Sequence, residues 1–123
     1  AASQLTQWPV QLMLVPSSAP FLKDAELLIA ADCVPCALGD FHSRLLSGKA
    51  LLVGCPKLDD GTVYVEKLTE MFRDAGIKSV TVATMEVPCC AGLDRIVSEA
   101  MKRSGRDIPV KTVTIGVNGT VLK

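Results

Sequence analysis

The sequence predicts a three-layer α/β domain: a mostly parallel sheet of about five strands, helices on both faces, and a C-terminal β-hairpin. Three observations carry this. Nearly continuous apolar runs recur at Glu26–Ala31 and Ala50–Gly54, the signature of strands buried on both faces. Segments with one apolar stripe at helical spacing lie between the later strands. Strand and helix patterns alternate, which calls for parallel strands joined by right-handed crossovers. At 123 residues the chain has the size of a single domain, spanning 1–123, with residues 1–9 as an N-terminal arm or linker remnant.

In chain order, Val10 to Val15 is a short strand pattern closed by Pro16-Ser17-Ser18-Ala19-Pro20. Phe21 to Ala25 connects it to the Glu26–Ala31 strand. Gly39 to Leu46 reads as a short helix, with Asp40 placed to cap it and Leu45 and Leu46 facing inward. After the Ala50–Gly54 strand, Asp59-Asp60-Gly61-Thr62 opens a helix from Val63 to Ala75. Tyr64, Leu68, Met71, Phe72 and Ala75 form its buried face, and Gly76 ends it at C′. Ser79 to Met85 alternates and is β-branched, so it is a strand. Leu93, Ile96, Val97, Ala100 and Met101 make one stripe of a helix from Gly92 to Arg103, stopped by Ser104-Gly105. Lys111 to Val117 is the last long strand, and Asn118-Gly119 signals a type I′ hairpin into Thr120–Leu122. The winding is flavodoxin- or Rossmann-like.

Composition narrows the function classes. Apolar residues make up 49% of the chain and aromatics 4%, so the core is aliphatic. Thirteen basic and thirteen acidic residues give a formal net charge of zero, which argues against nucleic-acid binding and against an anionic-membrane surface. The longest apolar stretch, Leu27 to Ala31, is far shorter than the ~20 residues of a membrane span. No signal-peptide pattern is visible, and a cytoplasmic protein is expected.

In a reducing compartment, clustered cysteines point to metal or redox chemistry rather than to disulfides. There are five, and all fall after predicted strands: Cys33 and Cys36 after the second, Cys55 directly after the third, Cys89 and Cys90 after the fourth. The C-terminal ends of parallel strands share one rim, where ligands of such folds bind. Soft thiolates there select zinc, copper(I) or iron–sulfur clusters. Cys33-Val34-Pro35-Cys36 has the C-x-x-C spacing of paired ligands, and prolines stiffen the turns at Cys55-Pro56 and Val87-Pro88-Cys89-Cys90. Cys90 lies near a helix start, where the dipole lowers a thiol pKa. The opposing reading is that free cysteines simply pack, and Cys36, beside Ala37 and Leu38, is the strongest candidate for that. His42, the single histidine, is either a nitrogen ligand or a solvated helix-face residue. Asp59-Asp60 reads as a capping pair. Lys57 either balances an anionic cluster or is a surface lysine, and Glu86 aims at the rim or at solvent. No Walker-type loop, G-x-G-x-x-G or Ser/His/Asp arrangement is present.

Four blocks carry a family resemblance: Gln4–Pro9, Ala31-Asp32-Cys33-Val34-Pro35 with Asp40-Phe41-His42, Gly54–Asp59, and Met85–Cys90. Together they resemble the C-terminal domain of bacterial ferredoxin-type 4Fe–4S binding proteins, where a two-cluster ferredoxin module precedes this domain. The resemblance implies electron transfer and carries Cys33, His42, Cys55, Cys89 and Cys90 over by position, whereas Cys36 departs from the pattern. A weaker likeness is to cysteine-rich CCG domains, through Cys55 and Cys89-Cys90.

The leading expectation is therefore an iron–sulfur electron-transfer domain. Cys33, Cys55, Cys89 and Cys90 or Cys36 would be the ligands, with His42 as a ligand or beside them. A 4Fe–4S cluster would be the cofactor, and a redox protein or ferredoxin module the partner. Two rivals stand beside it. One is a structural or regulatory zinc module, which needs four tetrahedral ligands and no sulfide. The other is a dithiol enzyme cycling Cys33–Cys36 or Cys89–Cys90. A partner-docking domain without chemistry is the fallback.

Overall fold

The structure, a computed structural model, describes residues 2–88 and 91–122, with only the backbone of Ala91. Four strands form one parallel sheet: β1 (Glu26–Ala31), β2 (Ala50–Gly54), β3 (Ser79–Met85) and β4 (Val110–Ile115). Their order is β2-β1-β3-β4. Ala31 stands opposite Gly54, and Ala30 opposite Ala83, so three strand ends lie side by side. β1, β2 and β3 are buried along nearly their whole length, which explains their unbroken apolar runs.

The β1-to-β2 connection steps one way and the β2-to-β3 connection steps back past β1. Right-handed crossovers then put them on opposite faces. One face carries the short helix α1 (Val34–Ala37) and a single π-type turn, His42–Leu46. The other carries α2 (Gly61–Asp74) and α3 (Ala91–Ser104), which pack against each other. Tyr64, Leu68, Met71 and Phe72 are the buried face of α2, as their spacing predicts. Gly76 follows its end at φ +71°, a conformation that carries a steric penalty for any residue with a Cβ. Asp60 caps its start, accepting from the Thr62 N–H at 2.9 Å.

The sheet has four strands because the Val10–Val15 segment makes one bridge only, Gln11 to Val53. Val53 donates to the Val10 carbonyl and Leu12 donates to the Val53 carbonyl, and then the chain turns, with Leu14 and Val15 bonding back to Gln11. The arm still covers the edge of β2. The Gln7 side-chain amide donates to the Leu51 carbonyl at 2.7 Å and accepts from its N–H at 3.3 Å, as a strand backbone would. Lys67 of α2 fastens the turn from below, its Nζ 2.7–3.0 Å from the carbonyls of Leu12, Met13 and Val15.

Of the helix predicted at Gly39–Leu46 the structure keeps the π-type turn His42–Leu46, and α1 at Val34–Ala37 is a separate short helix ahead of it. Pro35, in the first turn of α1, is preset for that position. The Asp40 carboxyl bonds to Arg44 at 3.0 Å and caps no backbone group. β4 stops at Ile115 because the Gly116 N–H turns to the Thr120 carbonyl. The hairpin is not type I′: Gly119 donates to the Gly116 carbonyl, so Val117 and Asn118 are the central residues. Asn118 has an ordinary negative φ, and Gly119 alone is left-handed at +89°. This is a type I turn followed by a glycine bulge.

Candidate functional site

The C-terminal rim is assembled by strand register. Beyond the paired Ala31 and Gly54, the chain delivers Asp32-Cys33 from β1 and Cys55-Pro56 from the neighbouring β2. Cys33 and Cys36 are exposed, Cys55 is half-buried, and all three are free thiols. The Cys55 carbonyl closes a tight turn by accepting from the N–H groups of Leu58 and Asp59, at 3.1 and 2.9 Å. The start of α3 abuts this turn: a Cβ on Gly92 would stand 3.6 Å from Pro56 Cγ. Cys89 and Cys90, expected at the same rim, lie outside the described residues. Among the described residues, no three His, Cys, Asp or Glu side chains converge to hold a metal ion.

A buried polar junction supports the Cys55 turn. The Tyr64 hydroxyl, fully buried, accepts from the Cys55 N–H at 2.9 Å and donates to the Asp59 carboxyl. A Cβ on Gly54 would lie 2.6 Å from that hydroxyl, so the end of β2 has to be glycine for the phenol to fit. Burial first, then the Asp59 hydrogen bond and the charges of Asp59 and Asp32, push the phenol well above its ordinary pKa. Asp32 stands at the end of β1 with its Oδ1 buried and without a hydrogen-bond partner among the described residues.

The other predicted residues take structural places. The His42 ring is exposed, and its Nδ1 accepts from the Gln4 N–H at 3.0 Å, which puts the proton of a neutral ring on Nε2. Asp59 serves the tyrosine and Asp60 the helix cap, so the pair is divided between two tasks. The Thr62 hydroxyl and N–H hold the Asp60 carboxyl below its usual range. Lys57 is exposed. Glu86 accepts from the Val117 N–H at 2.7 Å, tying the β3 loop to the hairpin. Sequence reasoning gave no functional weight to Tyr64 or Asp32. The usable signal for Tyr64 was the chain's single tyrosine, placed ten residues after a strand-terminal glycine.

Among the described residues, no helix is long and apolar enough to cross a membrane. No solved structure matches this chain. An uncharacterized protein of Archaeoglobus fulgidus is 36% identical over 118 residues, covering 96% of this chain and 83% of its own length. The family model for the Rossmann-like domain matches residues 19–123. This overturns the resemblance to ferredoxin-type 4Fe–4S proteins: neither finding belongs to that family. The doubly wound parallel sheet described above is the architecture that the matching model names, and the chain belongs to the Rossmann-like domain family.

Proposed function

We propose that the rim thiols hold an iron–sulfur cluster, of 4Fe–4S type, and that the domain exchanges electrons with a redox protein in the cytoplasm. The observation that carries this reading is the Ala31–Gly54 register, which sends Cys33 and Cys55 out of adjacent strand ends. The contact between Gly92 and Pro56 adds support, because it draws the segment just after Cys89-Cys90 against the Cys55 turn. With two thiols on adjacent described strand ends, a four-thiolate set would draw on Cys89, Cys90 or Cys36. Such a cluster supplies one-electron transfer when bound. Free thiols at Cys33, Cys36 and Cys55 suit a reducing compartment.

The test is anaerobic expression, followed by iron, zinc and acid-labile sulfide analysis per chain with a visible spectrum. Iron and sulfide in equal amounts, lost in Cys33→Ser and Cys55→Ser, is the expected result. Zinc without sulfide would replace the cluster with a structural metal. Protein lacking all three after reconstitution would overturn the metal reading. A dithiol would then be the reading to pursue, favoured by the exposure of Cys33, at the N-cap of α1, and of Cys36, within it.

A further inference from the structure

In a parallel pair, alternate residues of a strand turn their main-chain groups toward the neighbour. Val80 donates to the Pro109 carbonyl and Glu86 to the Ile115 carbonyl, both at 2.9 Å. Pro109, Lys111, Val113 and Ile115 therefore face β3, and Val110, Thr112 and Thr114 turn outward. The Thr114 carbonyl accepts from the Leu122 N–H at 2.8 Å. Among the described residues, the outward N–H and carbonyl groups of Val110 and Thr112 have no partner.

A groove runs along each face of this border. On the α3 face, Val82, Val97, Met101 and Val110 form the apolar part of one of about 370 Å³. Ser98 and Thr112 add hydroxyls to it, Asp94 an acid, and Lys102 and Arg106 cations. On the opposite face, Arg44, Lys49 and Lys111 line one of about 320 Å³, with Glu26 as the acid among them. The two grooves thus hold five cations and two acids, in a chain whose formal net charge is zero. Arg44 is paired with Asp40, but Lys49, Lys102 and Lys111 enter no ion pair among the described residues.

Unpaired main-chain groups between two side-chain grooves suit an extended chain, whose side chains alternate between the faces. The excess of cations selects acidic ones. We propose that the β4 border takes up a short, acidic, extended segment of a partner protein as a fifth strand. Its main chain would bond Val110 and Thr112, its acidic side chains would lie beside Lys111, and alternate apolar ones over Val82, Val97 and Met101. A second copy of this edge fits less well, because pairing centred on the open stretch sets Lys111 against Lys111. The Val110 end of β4 is at the border of the sheet away from the thiol rim, so the proposal does not rest on the metal reading.

The experiment is amide NMR with hydrogen exchange on the full chain, titrated with a blocked hexapeptide alternating valine and glutamate. Three probes serve as controls: the same peptide with lysine for glutamate, the same peptide with every backbone amide N-methylated, and inorganic tripolyphosphate. The acidic peptide should saturate, with shifts centred on Val110 to Val113. At nine-tenths saturation it should slow exchange of the Val110 and Thr112 amides about tenfold. The lysine and N-methylated peptides should each bind at least about tenfold more weakly. Lys111→Glu should invert the preference between the glutamate and lysine peptides, a result that an unfolded variant could not give. Thr112→Pro removes one outward donor and no bond to β3, and should abolish binding with the β1–β3 amides still protected. No saturation at millimolar peptide, equal binding of the N-methylated peptide, or an unchanged preference in Lys111→Glu would each overturn the proposal. So would tripolyphosphate displacing the peptide at equal concentration, which would mark a general anion surface, or protection of Val110 and Thr112 by self-association without peptide.

Discussion

Replacing Tyr64 with phenylalanine removes a single oxygen from the most deeply buried polar junction of the rim. The ring stays, so no cavity opens and the apolar contribution is nearly unchanged. What is lost is the acceptor of the Cys55 N–H, at 2.9 Å, and the donor to Asp59. Leaving such groups without partners costs about 1–3 kcal/mol. In a domain of this size that corresponds to a fall in melting temperature on the order of 3–12 °C. Gly54→Ala probes the same contact from the other side, since its Cβ would stand 2.6 Å from the hydroxyl and displace the ring. It should cost about 1–3 kcal/mol as overpacking. The assay is thermal unfolding followed by circular dichroism, together with ultraviolet titration of the wild type. Tyr64 is the chain's only tyrosine, so tyrosinate absorbance reports this group alone. Its proton is held more tightly in the folded state than in the unfolded chain, where a phenol titrates near ~10. This contribution to stability is therefore complete below that pH and declines as pH rises above it. Tyrosinate should appear only as the fold is lost. A Tyr64→Phe protein as stable as wild type, or tyrosinate formed at the ordinary phenol pH in folded protein, would refute the reasoning.

Two further perturbations test other parts of the molecule. Lys67→Met keeps the stem of the side chain but removes the three bonds to Leu12, Met13 and Val15. It should cost about 1–3 kcal/mol and raise hydrogen exchange at the Leu12 and Val53 amides while leaving the β1–β3 amides protected. Uniform exchange across the sheet would contradict that local role. Asp94 lines a groove between α3 and β4, where burial pushes its carboxyl above the usual range. The native state then holds this proton longer than the unfolded chain, so its contribution to stability falls as pH rises from about 4 through the native value. Carboxyl-carbon NMR should show Asp94 titrating above ordinary aspartates, and a midpoint at or below ~3.9 would exclude the effect.

Much of the fold was legible because its dominant signals are local. β1, β2 and β3 begin and end where the apolar runs do, and the stripes of α2 and α3 match the residues they bury. The failures came where a tertiary contact decided the local shape. Val10–Val15 has strand composition, but its bonding partners are a side chain of α2 and one residue of β2. Asn118-Gly119 is a strong hairpin dipeptide, but the turn sits one residue earlier, with Gly116 packed among Glu86, Asn118 and Thr120. At the rim, the positions of Cys33 and Cys55 could be read from strand ends. The service of Tyr64 and Asp59 to the Cys55 turn could not, because it depends on a close approach permitted by one missing Cβ at Gly54. Whole-chain similarity to a named family misled where short cysteine-bearing blocks were weighed above the α/β frame that holds them.

The amide of Gln7 has a consequence for how this sheet meets other proteins. With Gln7 bonded to Leu51 and the arm backbone to Val53, the outward-facing main-chain groups of β2 are used up within the molecule. At the opposite border, β4 pairs with β3 along its length, and among the described residues the Val121 bridge covers only its Ile115 end. The sheet is thus polarised as a template: one border is sealed, and the other offers the stretch from Val110 to Val113 to any incoming strand. Lys111, exposed on that stretch, is the kind of charge that discourages such growth. A truncation that removes the arm would give the sheet a second open border, and with it the means to extend in both directions.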